Sequence, residues 1–396
     1  MQVAVVGAGV SGLIAALELE KEGVQVTVFE GSDRVGGRIK TDVIEGIPFD
    51  HGFQVLQTAY PLAKEYLDFD KLNLKKFRPG ALIYKNGQSF KIGDAFRDGK
   101  FLLSTIGAPV GSIIDKKRVL DLSNKVKRMS IDDIFSVEEQ STITYLREFG
   151  FSKKMIESFF RPFYSGIFFE TELGTSARKF LFTYKMFAEG YAALPNGGIQ
   201  EIPKQLLAKL TNTEINFNSW VEKIENGSLS INGETIDFDF VVNATNSQNT
   251  IEWLSCDNLY FNADNSAIKE PILGLIANKK ALINNLHFVT DIQELETDKS
   301  ILSVTVVGEH GLGEEALIKQ VQAELKTECK IDDTEFIRRF KINQALPNLE
   351  QQLYSPEKNE IWHDDKTILA GDHTCNASLN SAMLSGKKAA VAILSK

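Results

Sequence analysis

The opening stretch, MQVAVVGAGVSGLIAALELEKEGVQVTVFE, constrains the fold of this chain more than any other segment. An apolar start of this kind serves either as an export leader or as the first strand and helix of a nucleotide-binding domain. A leader needs a basic start, an unbroken apolar middle and a small-residue cleavage site. Here no Lys or Arg precedes the apolar run, and Glu18 and Glu20 follow it, so the nucleotide-binding reading is the expectation. Gln2 to Val6 is a short β-type run, and Gly7, Gly9 and Gly12 form GxGxxG. Ser11 to Glu22 has helical spacing, and a second β-type run from Gln25 to Phe29 ends in Glu30. Gly7 permits the tight turn, Gly9 lets a pyrophosphate approach the backbone, and Gly12 lets the helix pack closely on the strand. The helix start then presents N–H groups and a partial positive charge to phosphates. Glu30, eighteen residues after Gly12, is placed to accept hydrogen bonds from a ribose diol, and its charge disfavours a 2′-phosphate. The predicted ligand is FAD or NAD rather than NADP. On these residues alone, a glycine turn in an α/β fold that binds nothing stays open.

At 396 residues the chain exceeds what one core usually serves, so two domains are expected. No uninterrupted apolar run approaches the roughly twenty residues of a spanning helix. The net charge of −9 repels phosphate backbones, so nucleic acid is not an expected partner. Cys256, Cys329 and Cys375 form neither a paired framework nor a metal spacing, which fits a reducing cytoplasm and no metal site.

Beyond Glu30 the run GSDRVGGRIKT sets Gly36, Gly37 and Arg38. A glycine pair lets backbone lie near a ligand, and Arg38 offers a charge-assisted bidentate contact to phosphate; a surface turn ending in a solvated arginine is the alternative. At these residues the chain resembles the flavin-dependent amine oxidase superfamily, which includes protoporphyrinogen oxidases and phytoene desaturases. The signature is GxGxxG, an acid, then GGR, and the resemblance extends to PFDHGFQV, with Asp50 and Gly52. The far end, TILAGDHTCNASLNSAMLSGKKAAVAIL, resembles the family's closing AGD and SAxxSGxxAA pattern. There Thr367 to Ala370 reads as a strand, Gly371 and Asp372 as a turn, and Ser381 to Leu394 as a helix. The resemblance implies that Asp372 bonds the ribityl or pyrophosphate part and that backbone near Ser381, Ala382 and Met383 faces the flavin's pyrimidine edge. A helix start aimed there stabilises the charge that develops at N1/O2 by about 0.3–1 kcal/mol per interaction. LPNGGIQEIPKQLLAKLTNTEINFNSWVEKIENG resembles the family's PxGGM–helix–strand unit, with a helix near Ile202 to Leu210 and a strand ending at Val221. The residue matching Val221 contacts adenine through its main chain. FDFVVNATNS resembles DxVVxAxP, placing Ala244 on the pyrophosphate side, although Thr245-Asn246 replaces the common small residue and proline. KINQALPNL, residues 341 to 349, resembles the short AxP segment beside the flavin.

The implied fold is α/β, a discontinuous Rossmann-type FAD-binding domain (1–80, 190–255 and 335–396) with a second, α+β substrate-binding domain (81–189 and 256–334). The chain carries 26 phenylalanines, and RPFYSGIFF clusters several of them in a run that resembles the RPFxxGxF segment of desaturase-like relatives. Arg161, Phe163, Tyr164 and Phe168 are therefore read as the wall of an apolar cavity, with plain core packing as the alternative. In FLLSTIGAPVGSIIDKKRVLDLSNKVKRM, residues 101 to 129, fourteen uncharged residues lead into a basic run. Gly107, Pro109 and Gly111 interrupt it, so a buried loop or channel mouth is expected, with peripheral membrane contact as the alternative.

The resemblance implies hydride transfer from a substrate carbon to flavin N5, with the protein positioning that carbon, excluding water and tuning charge. His51, His287, His310 and His363 are scattered; His373, beside Asp372, is the candidate acid or base to test first. Lys279 and Lys280 stand roughly where amine oxidases carry a lysine that holds a water at N5. The family's covalent cysteine lies in a GGCY context absent here, so FAD is expected to be noncovalent. Only Tyr354 and Trp362 qualify for the paired aromatics of an amine site, so a small hydrophobic substrate, carotenoid-like or tetrapyrrole-like, is expected over an amine. A flavin amine oxidase is the alternative. A flavin-free lipid- or prenyl-binding module of the GDP dissociation inhibitor type is another, and the intact GxGxxG and GGR stand against it. A sugar mutase-type isomerase needs several arginines in a polar cavity, which the Phe-rich middle does not suggest.

Overall fold

The computed structural model describes residues 1–245, 251–263, 268–356 and 360–396. Asn246, singled out above, lies outside them. Five strands form a parallel sheet in the order Glu214–Asn216, Gln25–Phe29, Gln2–Val6, Phe240–Asn243 and Thr367–Leu369. Sequences such as QVAVV and FVVN suit it, because a parallel sheet covered on both faces takes continuous β-branched runs rather than alternation. On one face the helix Val10–Lys21 buries Leu13, Ile14, Ala15, Ala16 and Leu19 and packs along the last helix, Leu379–Leu394. On the other, the meander Lys223–Glu225, Ser228–Ile231 and Glu234–Asp237 sets Leu229 and Ile231 against Ala4, Val6, Phe29 and Val241.

A second sheet has seven strands in the order Thr334–Pro347, Trp253–Ala263, Ser300–Val307, Ile283–Phe288, Leu273–Ile276, Gly80–Lys85 and Gln88–Gly93. Its pairings are antiparallel except between Leu273–Ile276 and Gly80–Lys85. The helix Glu314–Glu324 covers it through Leu317 and Val321. Helices between residues 101 and 189 make an aromatic layer, continuous with the core of the parallel sheet, in which Phe160, Tyr164, Phe168, Phe180 and Phe182 are buried.

Three segments differ from expectation. Residues 335–347, assigned above to the cofactor side, extend the second sheet as an edge strand running along Trp253–Ala263, itself begun before residue 256. Their pattern, TEFIRRFKINQALP, alternates between half-buried and exposed positions as an edge strand does. The strand expected to end at Val221 stops at Asn216, because Asn218 turns the chain in the left-handed region at φ 53°. Residues 101–129 are not a buried loop but two helices, Phe101–Gly107 and Ile113–Arg128, with much apolar surface exposed. The break at Gly107 to Gly111 is real, but Ser112 and Asp115 form a reciprocal capping box that restarts the helix.

Candidate functional site

The parallel strands end together, at the edge where open α/β sheets bind ligands. Gly7 N–H donates to Phe29 O at 2.8 Å, Ala244 N–H to Val6 O at 2.9 Å and Ala370 N–H to Asn243 O at 2.9 Å, so the three segments meet at their carboxyl ends. A Cβ on Gly12 would stand 2.0 Å from Gly7 O, so no other residue fits the close helix–strand contact. No side chain caps the helix start at Gly9, which leaves its leading end to an anionic ligand group. Gly36, at φ 125°, bridges to Gly9, and its N–H donates to Ala8 O at 2.9 Å, so the second glycine pair lies on the first turn. The Glu30 carboxylate accepts from Ala8 N–H at 2.7 Å and from Ser32 N–H and hydroxyl at 2.9 and 2.7 Å. Ala244 is half-buried beside these turns, and Val221 packs on the cluster around Phe29.

Arg38 is the point of convergence. Its guanidinium pairs with the buried Asp372 carboxylate, donates to Ala345 O at 3.3 Å and lies 5.1 Å over the Trp253 ring. Gly371 N–H, next to Asp372, donates to the Ser385 hydroxyl at 2.8 Å, tying this turn to the last helix. That helix begins in a capping box: Ser381 N–H donates to the Ser378 hydroxyl at 3.1 Å and Ala382 N–H to Ser378 O at 2.9 Å. The N–H groups of Ser381 and Ala382 are thus used within the helix, and Met383 is fully buried. Asp50 accepts from the Thr41 hydroxyl at 2.6 Å and from Ile199 N–H at 3.0 Å; burial still pushes its carboxyl up to about 6. Burial lowers the His373 imidazole, with Asp372 opposing.

Several residues were not legible from sequence. Gln200 accepts from Thr41 N–H at 3.0 Å and donates to Val35 O at 3.1 Å, pinning the loop that carries Gly36 and Arg38. Lys179 is 4% exposed and lies 5.7 Å over the Phe168 ring. Burial lowers its ammonium to about 8, with Asp372 pulling it up and Arg38 down, so it belongs to the same charge cluster. Trp220 lies over Gly31, where a Cβ would come within 2.8 Å of its ring. The local signal was an aromatic next to Val221 and a glycine next to Glu30. Gln200 and Lys179 gave none, since their partners are remote in sequence.

The expected cavity residues are placed otherwise than as a wall. Arg161 donates to both Glu157 carboxylate oxygens at 3.0 and 3.2 Å and to Thr171 O, and Lys279 pairs with that same carboxylate at 3.0 Å. Tyr164 is packed against Phe160, Phe168 and Phe180, and Phe163 stacks on Phe159 at 5.6 Å. The core alternative describes these aromatics, and Arg161 is committed to an ion pair. Tyr354 packs with Phe135 and Phe182, Trp362 with Phe240, so the two stand in different aromatic groups. His287 is buried between Phe53 and Phe77, ring centroids 4.5 and 5.8 Å away, and burial drives its imidazole down to about 3.

The family model for flavin-containing amine oxidoreductases matches residues 10–253, well over half of the chain. The chain belongs to that family. It is 30% identical over 167 residues to protoporphyrinogen oxidase 2, chloroplastic/mitochondrial, of Arabidopsis thaliana, a match covering 42% of this chain and 32% of the relative. It is 56% identical over 52 residues to a putative flavin-containing monoamine oxidase of Mycobacterium tuberculosis, covering 13% and 12%. The chain thus spans about a third or less of the length of these curated relatives. A crystal structure of a putative protoporphyrinogen oxidase from Exiguobacterium sp. 255-15 superimposes with a TM-score of 0.71 at 16% identity, covering 100% of this chain and 99% of that one. At that identity the likeness shows the fold, a two-domain arrangement of parallel sheet and second sheet. Family membership implies a flavin. The residues present fit one: a glycine turn with no room for side chains at Gly12 and Gly36, an uncapped helix start, the Glu30 carboxylate and a charged turn at Arg38 and Asp372.

Proposed function

We propose that the chain is an FAD-dependent oxidoreductase that dehydrogenates or desaturates a small hydrophobic substrate, carotenoid-like or tetrapyrrole-like, with FAD held noncovalently. The observation that carries the reading is Glu30, its carboxylate at the sheet edge 2.7 Å from Ala8 N–H and beside an uncapped helix start. That pairing suits the adenosine and pyrophosphate of a dinucleotide, which FMN lacks. Bound flavin supplies a two-electron acceptor at N5. Glu30 would hold the ribose, while Arg38 and Asp372 would hold the pyrophosphate and ribityl part. Lys179, beside them, would add positive charge near the bound group. Noncovalent binding is supported by Cys375: its thiol is buried, hydrogen-bonded to the Thr374 hydroxyl and pushed up to about 11, hence a poor nucleophile.

The apolar substrate reading is supported by His287, uncharged at neutral pH between two phenylalanines. An amine oxidase is the second reading, favoured by the short monoamine oxidase match; the separation of Tyr354 from Trp362 weighs against it. Anaerobic mixing with polyene, porphyrinogen and amine panels tests the order through bleaching of the flavin band. Bleaching by polyenes or porphyrinogens is expected, and bleaching by amines alone reverses the ranking. Colourless, flavin-free protein after gentle purification would favour a lipid-binding module instead.

A further inference from the structure

The helices that replace the expected buried loop leave several large apolar side chains, close together in sequence, in water. Leu102, Leu103 and Ile106 on the first are 52, 82 and 58% exposed, Ile113 and Ile114 at the start of the second 78 and 62%, and Phe96 just before them 85%. Single exposed hydrophobics are ordinary, but six within nineteen residues of sequence mark an interaction surface. The exposure is built in rather than loose. Phe101, on the inner side, is wedged against Gly80 and Gly93, and the Thr105 hydroxyl oxygen accepts from Gly93 N–H at 2.9 Å. Lys116 Nζ donates to Ile106 O at 2.7 Å and Ala108 O at 3.0 Å, closing the end of the first helix. The buried Asp115 carboxylate accepts from the N–H and hydroxyl of both Ser112 and Ser152 at 2.7–2.8 Å. Turning the apolar side chains inward would break this network.

The surroundings say what covers the surface. Residues 96–128 hold eight Lys or Arg against three Asp, an excess of positive charge within a chain of net −9. Of those aspartates, Asp115 is buried and Asp98 pairs with Arg78 at 2.6 Å, so the basic excess outside is larger still. Lys100 and Lys117 are exposed on either side of the stretch from Leu102 to Ile114. Among the described residues no helix is long and apolar enough to cross a membrane, so a bilayer would be met from one side. An apolar ridge flanked by cations is complementary to the acyl boundary and phosphates of an anionic leaflet. We propose that this surface docks the protein on an anionic phospholipid bilayer, with Leu103 and Ile113 entering the headgroup–acyl boundary and Lys100 and Lys117 on lipid phosphates. The inference does not depend on the reaction catalysed.

Vesicle flotation of the full chain tests it, with phosphatidylcholine vesicles and with mixed phosphatidylcholine–phosphatidylglycerol vesicles, alongside light scattering. The wild type should float with the mixed vesicles and far less with phosphatidylcholine alone. The double substitution Leu103→Ser, Ile113→Ser should reduce binding about tenfold or more. Lys117→Glu should reduce it at least about fivefold at low salt. Because the changed side chains are exposed, unaltered thermal melts are expected and separate lost docking from lost folding. Wild-type protein that ignores mixed vesicles, binds both vesicle types equally, or matches its variants overturns the proposal. So does a dimer that the double substitution abolishes, which would assign the surface to a second copy of the chain.

Discussion

Glu30 ties the first turn to the second through both of its oxygens, so truncating it does two things at once. Glu30→Ala leaves Ala8 N–H without its acceptor, a loss of about 1–3 kcal/mol, and removes the proposed ribose partner. Gel-filtered variant protein should retain markedly less flavin than wild type, read from absorbance, and melt earlier; unchanged occupancy would refute the ribose assignment. Lys179 makes a prediction of the opposite sign. Its ammonium is lowered from 10.5 to about 8 in the folded chain, so the unfolded chain binds that proton more tightly between those values. Stability therefore rises with pH from about 8 to 10.5, and at neutral pH the buried charge opposes folding. Lys179→Met should raise stability at pH 7 by ~1–3 kcal/mol and flatten that rise, checked by denaturation across pH. Glu30 and Gly12 were legible in the sequence because each answers a demand made within one turn. Lys179 was not, because its charged neighbours, Arg38 and Asp372, come from two remote segments.

Among the elements, the first and last helices touch at backbone distance. A Cβ on Gly386 would stand 2.1 Å from Ser11 O, so Gly386→Ala must push the two helices apart. We expect a loss of about 1–3 kcal/mol or more with reduced flavin retention, seen in melts with and without FAD. The small-residue pattern around Gly386 announced this packing, since only close contact explains Ser385, Gly386, Ala389 and Ala390 together. The restart at Ser112 was harder to read. Gly107, Pro109 and Gly111 are true breakers, and the capping box that overrides them relies on Ser152, forty residues on. Burial alone would raise the Asp115 carboxyl, but hydrogen bonds from Ser152 and Ser112 outweigh it and hold it at about 2, below the usual 3.8. Its contribution is thus complete above about pH 4 and lost as pH falls towards 2. Asp115→Asn should destabilise by about 1–3 kcal/mol at pH 7, with the gap to wild type closing in acid. A constant gap across that range would contradict the hydrogen-bonded carboxylate.

Across the whole molecule, the two sheets are joined where Arg38 meets Asp372, Ala345 and Trp253. That convergence was legible because the glycine-acid turns at both ends of the chain make sense only around a shared ligand. The division between domains was less so. Residues 335–347 carry a motif associated with the cofactor, yet their alternating polarity makes them an edge strand of the second sheet, and Ala345 reaches Arg38 from there. In the proposed function both ends of the chain grip one dinucleotide. Calorimetric titration of flavin-free protein with FAD, and separately with FMN, tests it most directly. One FAD per chain is expected, bound far more tightly than FMN and weakened by Glu30→Ala and by Asp372→Asn alike. FMN binding as well as FAD, or FAD binding indifferent to either substitution, would contradict it.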